Sequence, residues 1–120
     1  MTAKFCRTLA KFGIETTLVK AGDMGALAGA VRPETRLIFT ESPTNPHLHV
    51  LDLEKLVSFA KERRLKVLID STLATPINQR PLDYGVDLVI HSATKYMGGH
   101  NDLMAGVVCG KGALIDAIRE

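Results

Sequence analysis

The chain has 120 residues, of which 46% are hydrophobic and 23% charged, a composition that excludes disorder and fits about one ordinary globular domain. Fifteen basic against thirteen acidic residues leave a formal charge of +2, too weak a bias to suggest a nucleic-acid or acidic-membrane partner. The longest nearly uncharged apolar stretch, residues 103–110, falls well short of the roughly 20 residues a bilayer span needs, and the first residues lack the apolar run of a secretory signal.

In chain order the periodicity alternates helix with strand. Phe5, Leu9 and Phe12 fall at helical spacing over residues 2–12, with Gly13 as a left-handed stop. Residues 14–19 read as a short strand. Asp23 caps a weak helix to Val31, which Pro33 closes. Leu37-Ile38-Phe39 is a buried strand core, and Glu41-Ser-Pro-Thr-Asn-Pro-His, with two prolines in four residues, is loop. Asp52 caps the strongest helix, 53–64, whose Leu53, Leu56, Val57 and Ala60 share one face and whose last turn carries cations where the helix dipole favours them. Residues 66–70 form a strand ending in Asp70. After a proline-containing loop and a short helical turn to Gly85, residues 87–91 form a fourth strand, 103–109 a fifth, and 113–120 a last helix that ends without a cap. Apolar strands separated by helices predict an α/β fold with a mostly parallel sheet flanked by helices. No repeat, low-complexity tract or linker interrupts it, so the chain reads as one domain or part of one.

Ligands of open α/β sheets bind beyond the carboxyl ends of the strands, and the reactive groups gather there. Asp70 closes one strand, Ser92, Thr94 and Lys95 follow another, and Asn45 lies in a loop after a third. If the strands of Asp70 and Lys95 are neighbours or nearly so, their backbones lie roughly 5–10 Å apart, a gap a flat heteroaromatic ring can bridge. An amine on one side and a carboxylate on the other suit pyridoxal phosphate: lysine forms the Schiff base and aspartate keeps the pyridine nitrogen protonated. Ser92 and Thr94 alternate about Ala93, so an extended segment would turn both hydroxyls to one side, toward a phosphate. Taken singly, each residue has a plainer role, Asp70 as a turn former or helix cap and Lys95 as a solvated cation.

Other motifs are weaker. Ser92-Ala-Thr-Lys95 matches the S-x-x-K of penicillin-recognising serine enzymes, but neither S-D-N nor K-T-G accompanies it. Gly106-Val-Val-Cys-Gly-Lys111 is one residue short of a phosphate-binding loop, with Gly112 where Ser or Thr is needed. His47-Leu-His49 lacks further metal ligands at a recognisable spacing and reads as loop or surface histidines. Cys6 and Cys109, far apart, read as reduced thiols.

Three segments carry a resemblance: Glu41-Ser-Pro-Thr-Asn-Pro46, Ile69-Asp-Ser-Thr-Leu-Ala-Thr-Pro76 and His91-Ser-Ala-Thr-Lys-Tyr-Met-Gly-Gly-His100. In order and spacing they closely resemble the Cys/Met-metabolism family of pyridoxal-phosphate enzymes, from about Lys4 to Glu120. The resemblance implies part of the large domain of a fold-type I pyridoxal-phosphate transferase, the upstream phosphate loop and the C-terminal small domain lying outside these 120 residues. By position it implies that Lys95 is the Schiff-base lysine and proton shuttle. Asp70 would partner the pyridinium nitrogen, Ser92 and Thr94 would bind the phosphate, and Asn45 would bond the ring's phenolic oxygen. Ser71 departs from the Asn or Gly that many members carry. Gly98-Gly-His-Asn-Asp102 and Pro76-Ile-Asn-Gln79 look most like the cystathionine γ-synthases. That resemblance implies transsulfuration by γ-replacement, joining an O-acylhomoserine to cysteine in methionine and cysteine metabolism. The alternatives are a carbon–sulfur lyase of the same family and a truncated, non-catalytic piece. Implied with these are small amino-acid substrates, no nucleic acid, membrane or metal, a homo-oligomeric parent (a homotetramer), a cytoplasmic or, in a plant, plastid location, and an isolated segment inactive by itself.

Overall fold

The computed structural model describes residues 2–120, with side chains from Phe5 onward. The chain divides into two compact units, the described residues up to 32 and Pro33–Glu120.

The first unit holds α1 (Thr2–Ala10) and α2 (Met24–Ala30). Gly13, at φ 72°, ends α1 as its sequence suggests, its N–H donating to Ala10 O and that of Ile14 to Leu9 O, the left-handed helix stop. Asp23 caps α2 through a 2.8 Å bond from the Ala26 N–H. The expected strand over residues 14–19 is not formed. β-branched residues there favour extended backbone, but a strand exists only where a neighbour accepts its ladder bonds, and this unit contains no other strand.

The second unit is a four-stranded sheet in the order β1 (Leu37–Glu41), β2 (Lys66–Asp70), β3 (Leu88–Ser92), β4 (Gly106–Gly110). The first three strands run parallel and β4 antiparallel, which bears out the mostly parallel expectation. The last strand starts at Gly106, three residues later than its apolar run suggests, because Thr94 and Ala105 already close the loop before it. Between β1 and β2 runs α3 (Leu53–Glu62), capped by Asp52, whose Oδ1 accepts from the Lys55 N–H at 3.0 Å. Its Leu53, Leu56, Val57 and Ala60 are all buried, and it packs on β2. The chain then crosses a four-residue helix, α4 (Thr75–Asn78), and a 3₁₀ turn (Pro81–Tyr84) into β3, and ends in α5 (Gly112–Arg119).

Side chains alternate across this sheet. Ile38, Val67, Ile69 and Val89 lie buried on one face, each contributing about 1.5–3 kcal/mol of hydrophobic stabilisation. Phe39, Leu68, Leu88 and Ile90 on the other stay half-buried, so that face is less covered than a parallel sheet's usual two dry sides. Gly110 is required where it stands: a Cβ there would meet Asp87 O at 2.7 Å and collide with Leu88 Cδ2.

The amino ends of β2 and β3 are tied by one carboxylate. Asp87 accepts from Lys66 Nζ at 2.7 Å and from the Val67 N–H at 3.0 Å. Burial pushes its acid upward, yet these hydrogen bonds and the nearby positive charges of Lys66 and Lys111 outweigh it, leaving Asp87 below its ordinary 3.8. A depressed carboxylate stabilises the fold fully above its unfolded value and loses that contribution as pH falls through the folded one. Asp87→Asn is therefore expected to cost about 1–2 kcal/mol at neutral pH, read as a urea midpoint, with the difference from the parent shrinking once the pH is well under 3.8.

Candidate active site at the carboxyl edge of the sheet

Three loops leave the carboxyl ends of the three parallel strands, and each carries residues singled out in the sequence. The first follows β1. Its Asn45 N–H donates to Glu41 Oε2 at 3.2 Å, and Thr44 fastens the turn, its Oγ1 accepting from the His49 N–H and its carbonyl from Leu48. Asn45 itself is exposed. Glu41, which holds its N–H, is the register partner of Asp70 at the end of β2.

The second loop follows Asp70. Asp70 Oδ1 accepts two hydrogen bonds from Thr72, one from its N–H at 3.0 Å and one from its hydroxyl at 2.5 Å. The plain turn-forming role is thus real, since an aspartate oxygen that captures the N–H two residues on makes an Asx turn. It uses only one oxygen. Oδ2 has no partner among the described residues, and the side chain is half-buried on the less covered face. The Thr72 hydroxyl also accepts from the Ser92 N–H at 2.8 Å, so one hydroxyl joins the carboxylate on β2 to the end of β3.

The third loop contains Ser92, Thr94 and Lys95. It does not run on extended, as the alternation of Ser92 and Thr94 would need. Lys95 N–H turns back to Ser92 O at 3.0 Å, Gly98 N–H to Ala93 O at 2.7 Å and Gly99 N–H to Lys95 O at 2.9 Å. A Cβ on Gly98 would approach Ala93 O to 2.8 Å, so the turn closes only around glycine. The turn fixes the Lys95 backbone while its side chain stays exposed, the ammonium having no partner among the described residues. Ser92 is half-buried with its hydroxyl uncommitted. The Thr94 hydroxyl is engaged, donating to Ala105 O at 3.3 Å and accepting from the Ala105 N–H at 3.0 Å. The first of these is weak enough to be exchanged for a phosphate oxygen while the second is kept.

Among the described residues, four non-glycine residues lie in the left-handed region: Leu48 at φ 54°, Arg64 at 57°, Asn101 at 57° and Thr75, the first residue of α4, at 60°. For the β-branched Thr75 this is a marked outlier. Such backbones cost about 1–3 kcal/mol each.

Asp70, Ser92 and Lys95, expected at one edge, lie there, Asp70 and Ser92 at the ends of adjacent strands and Lys95 in the turn that follows the second. Sequence reasoning gave no role to Thr72, although the D-x-T spacing is itself the signal of an aspartate turned onto the residue two further on. Nor did it single out Glu41, which holds the Asn45 backbone.

The donor set fits a phosphorylated pyridine aldehyde: an amine, a carboxylate with one open oxygen, a free hydroxyl and a second that can be released. The model of the Cys/Met metabolism PLP-dependent enzymes matches residues 1–119. The chain belongs to that family. It is 45% identical over 111 residues to the L-methionine γ-lyase of Pseudomonas putida, covering 92% of this chain and 28% of that protein. To the chloroplastic cystathionine γ-synthase 1 of Arabidopsis thaliana it is 48% identical over 112 residues, 92% of this chain and 20% of that one. Among solved structures, cystathionine γ-lyase from Lactobacillus plantarum, complexed with L-serine, superposes with a TM-score of 0.88 at 40% identity, over 94% of this chain and 30% of that one. The chain thus spans between a fifth and three tenths of the length of these relatives.

Thr72→Val leaves the Ser92 N–H without its acceptor and removes the hydroxyl from Asp70. It is expected to cost about 1–3 kcal/mol in denaturant stability, whereas Thr72→Ser, which keeps the hydroxyl, recovers most of that loss in the same titration.

Proposed function

We propose that the full-length protein is a pyridoxal-phosphate enzyme of sulfur amino acid metabolism, acting by γ-replacement to join an O-acylhomoserine to cysteine. The observation that carries the pyridoxal-phosphate reading is that Asp70, with one carboxylate oxygen open, ends β2 while Lys95, its ammonium without a partner among the described residues, lies in the turn after the neighbouring parallel β3. When bound, the cofactor supplies an aldehyde that captures amines and a pyridinium ring that takes up the electron pair released at the substrate's Cα.

The chain's own residues do the rest. Asp70 Oδ2 holds the proton on the ring nitrogen, with Thr72 fixing the carboxylate through Oδ1. A negative charge there keeps the ring cationic and electron-accepting. Lys95 Nζ would hold the cofactor aldehyde and would serve as the acid–base group for protons at Cα and Cβ, work worth about 10²–10⁴ in rate. Ser92 Oγ–H binds the phosphate, joined by Thr94 when its hydrogen turns away from Ala105 O. The Asn45 side chain would supply a donor for the ring's phenolic oxygen. Glu41 holds the Asn45 N–H and so sets where that amide stands.

γ-Replacement is favoured by the runs Pro76-Ile-Asn-Gln79 and Gly98-Gly-His-Asn-Asp102, similar to those of cystathionine γ-synthases, and by the 48% identity to the Arabidopsis enzyme. A second reading, carbon–sulfur cleavage, is favoured by the methionine γ-lyase and cystathionine γ-lyase relatives. Both reactions begin with the same proton transfers, and they part at whether a thiol adds or leaves at Cγ. The active protein is a homo-oligomer, a tetramer by resemblance, and works in the cytoplasm or, in a plant, in the plastid.

With an O-acylhomoserine and cysteine, full-length protein is expected to form cystathionine, and Lys95→Ala to lower that rate by more than about 100-fold. Release of 2-oxobutyrate from cystathionine alone, with no cystathionine made from the ester, would establish the lyase reading instead.

A further inference from the structure

Directly behind the proposed site, on the covered face of the sheet, two buried polar groups lack partners. Ser71 is wholly buried and His91 is 6% exposed, yet Ser71 Oγ and His91 Nδ1 each make no hydrogen bond. Buried polar atoms left unpaired are rare in native folds, and each calls for a physical reason.

The register supplies one. Leu68 aligns with Leu88, Ile69 with Val89 and Asp70 with Ile90, and the Ser71 N–H continues the ladder to Ile90 O at 3.0 Å. One step further, Ser71 stands beside His91. Both belong to the alternation that buries Ile69 and Val89, opposite in sense to Asp70 and Ser92. Ser42 completes the row on the neighbouring strand, fully buried, its N–H on Asp70 O and its Oγ accepting from the Leu51 N–H. Ser42 Oγ thus has a partner, whereas Ser71 Oγ and His91 Nδ1 in the same row have none. A hydroxyl donates and an imidazole nitrogen accepts, so each is the complement the other lacks. Another of the staggered Ser71 rotamers would turn the hydroxyl toward the imidazole.

We propose that Ser71 and His91 are a positioning pair for this site. The Ser71 hydroxyl donates to His91 Nδ1, with the imidazole held in the tautomer that carries its hydrogen on Nε2. Each member is the chain neighbour of a residue that faces the cofactor, Ser71 of Asp70 and His91 of Ser92. A cross-strand bond between them fixes, from behind, the spacing that the Thr72 hydroxyl fixes from the front. It also gives a reason for serine at position 71, where a larger polar side chain would have to fit a fully enclosed space. The effect on the cofactor rests on the functional reading above, whereas the bond itself does not.

The test separates the two. In full-length protein with ¹⁵N-labelled histidine, the His91 resonances are identified by their loss in His91→Phe. The expected pattern is an unprotonated Nδ1 and a protonated Nε2, with both nitrogens shifting in Ser71→Ala. A hydrogen on Nδ1 in the parent protein, or resonances unchanged by Ser71→Ala, would overturn the pair. Cofactor affinity is then measured by absorbance titration with pyridoxal phosphate, thermal melting confirming that each variant is folded. Ser71→Ala is expected to weaken binding about fivefold, and the double variant Ser71→Ala/His91→Phe to bind no worse than His91→Phe, the non-additivity of coupled partners. Shifted resonances with unchanged or additive affinities would overturn the positioning role. No binding of pyridoxal phosphate by the parent protein would overturn the functional reading and leave the nitrogen measurement standing.

Discussion

One threonine hydroxyl holds the candidate site together. Thr72 gives its hydrogen to the Asp70 carboxylate and takes the Ser92 N–H on its lone pair. A hydroxyl that donates to an ionised acceptor is the better acceptor for a third group, so the two bonds reinforce one another. Their effect is to leave Asp70 with a fixed orientation and one unused oxygen. Without this link, the aspartate would keep only the Thr72 N–H on Oδ1 and lose its tie to the end of β3.

The same device closes the opposite end of the same strand pair. Asp87, just ahead of β3, takes both the Lys66 ammonium and the Val67 N–H at the start of β2. Between the two clamps the strands are joined by regular parallel pairing, and Val67, Ile69 and Val89 are almost wholly buried. The carboxyl edge thus inherits its geometry from a stiff segment, while Lys95 and Asn45 stand on turns closed by their own backbone bonds. A rigid floor with reactive groups on short loops is the arrangement that holds a flat cofactor while a covalently attached lysine comes and goes.

Much of this was legible in the residues. The apolar run at 66–70, the Asp52 cap and the Leu53, Leu56, Val57 and Ala60 face are local signals, and local physics decides them. The edge location of Asp70 and Lys95 was legible for the same reason, as both directly follow strand patterns. Residues 14–19 were misread because strand formation depends on a neighbour, which no window of sequence contains. The condition that Ser92 and Thr94 share a side, an extended segment, is not met, and the Gly98 approach to Ala93 O shows why the chain folds back there. Ser71 and His91 were invisible as a pair, since 20 residues separate them and only the parallel register brings them side by side.

The central claim is that a covalent cofactor sits between Lys95 and Asp70. Full-length protein incubated with pyridoxal phosphate, reduced with borohydride and digested, gives peptides whose mass shows which lysine has gained the pyridoxyl group. One modified residue is expected, Lys95, with the label lost in Lys95→Arg and not transferred elsewhere. Label on a different lysine, with Lys95 recovered unmodified, would contradict the claim.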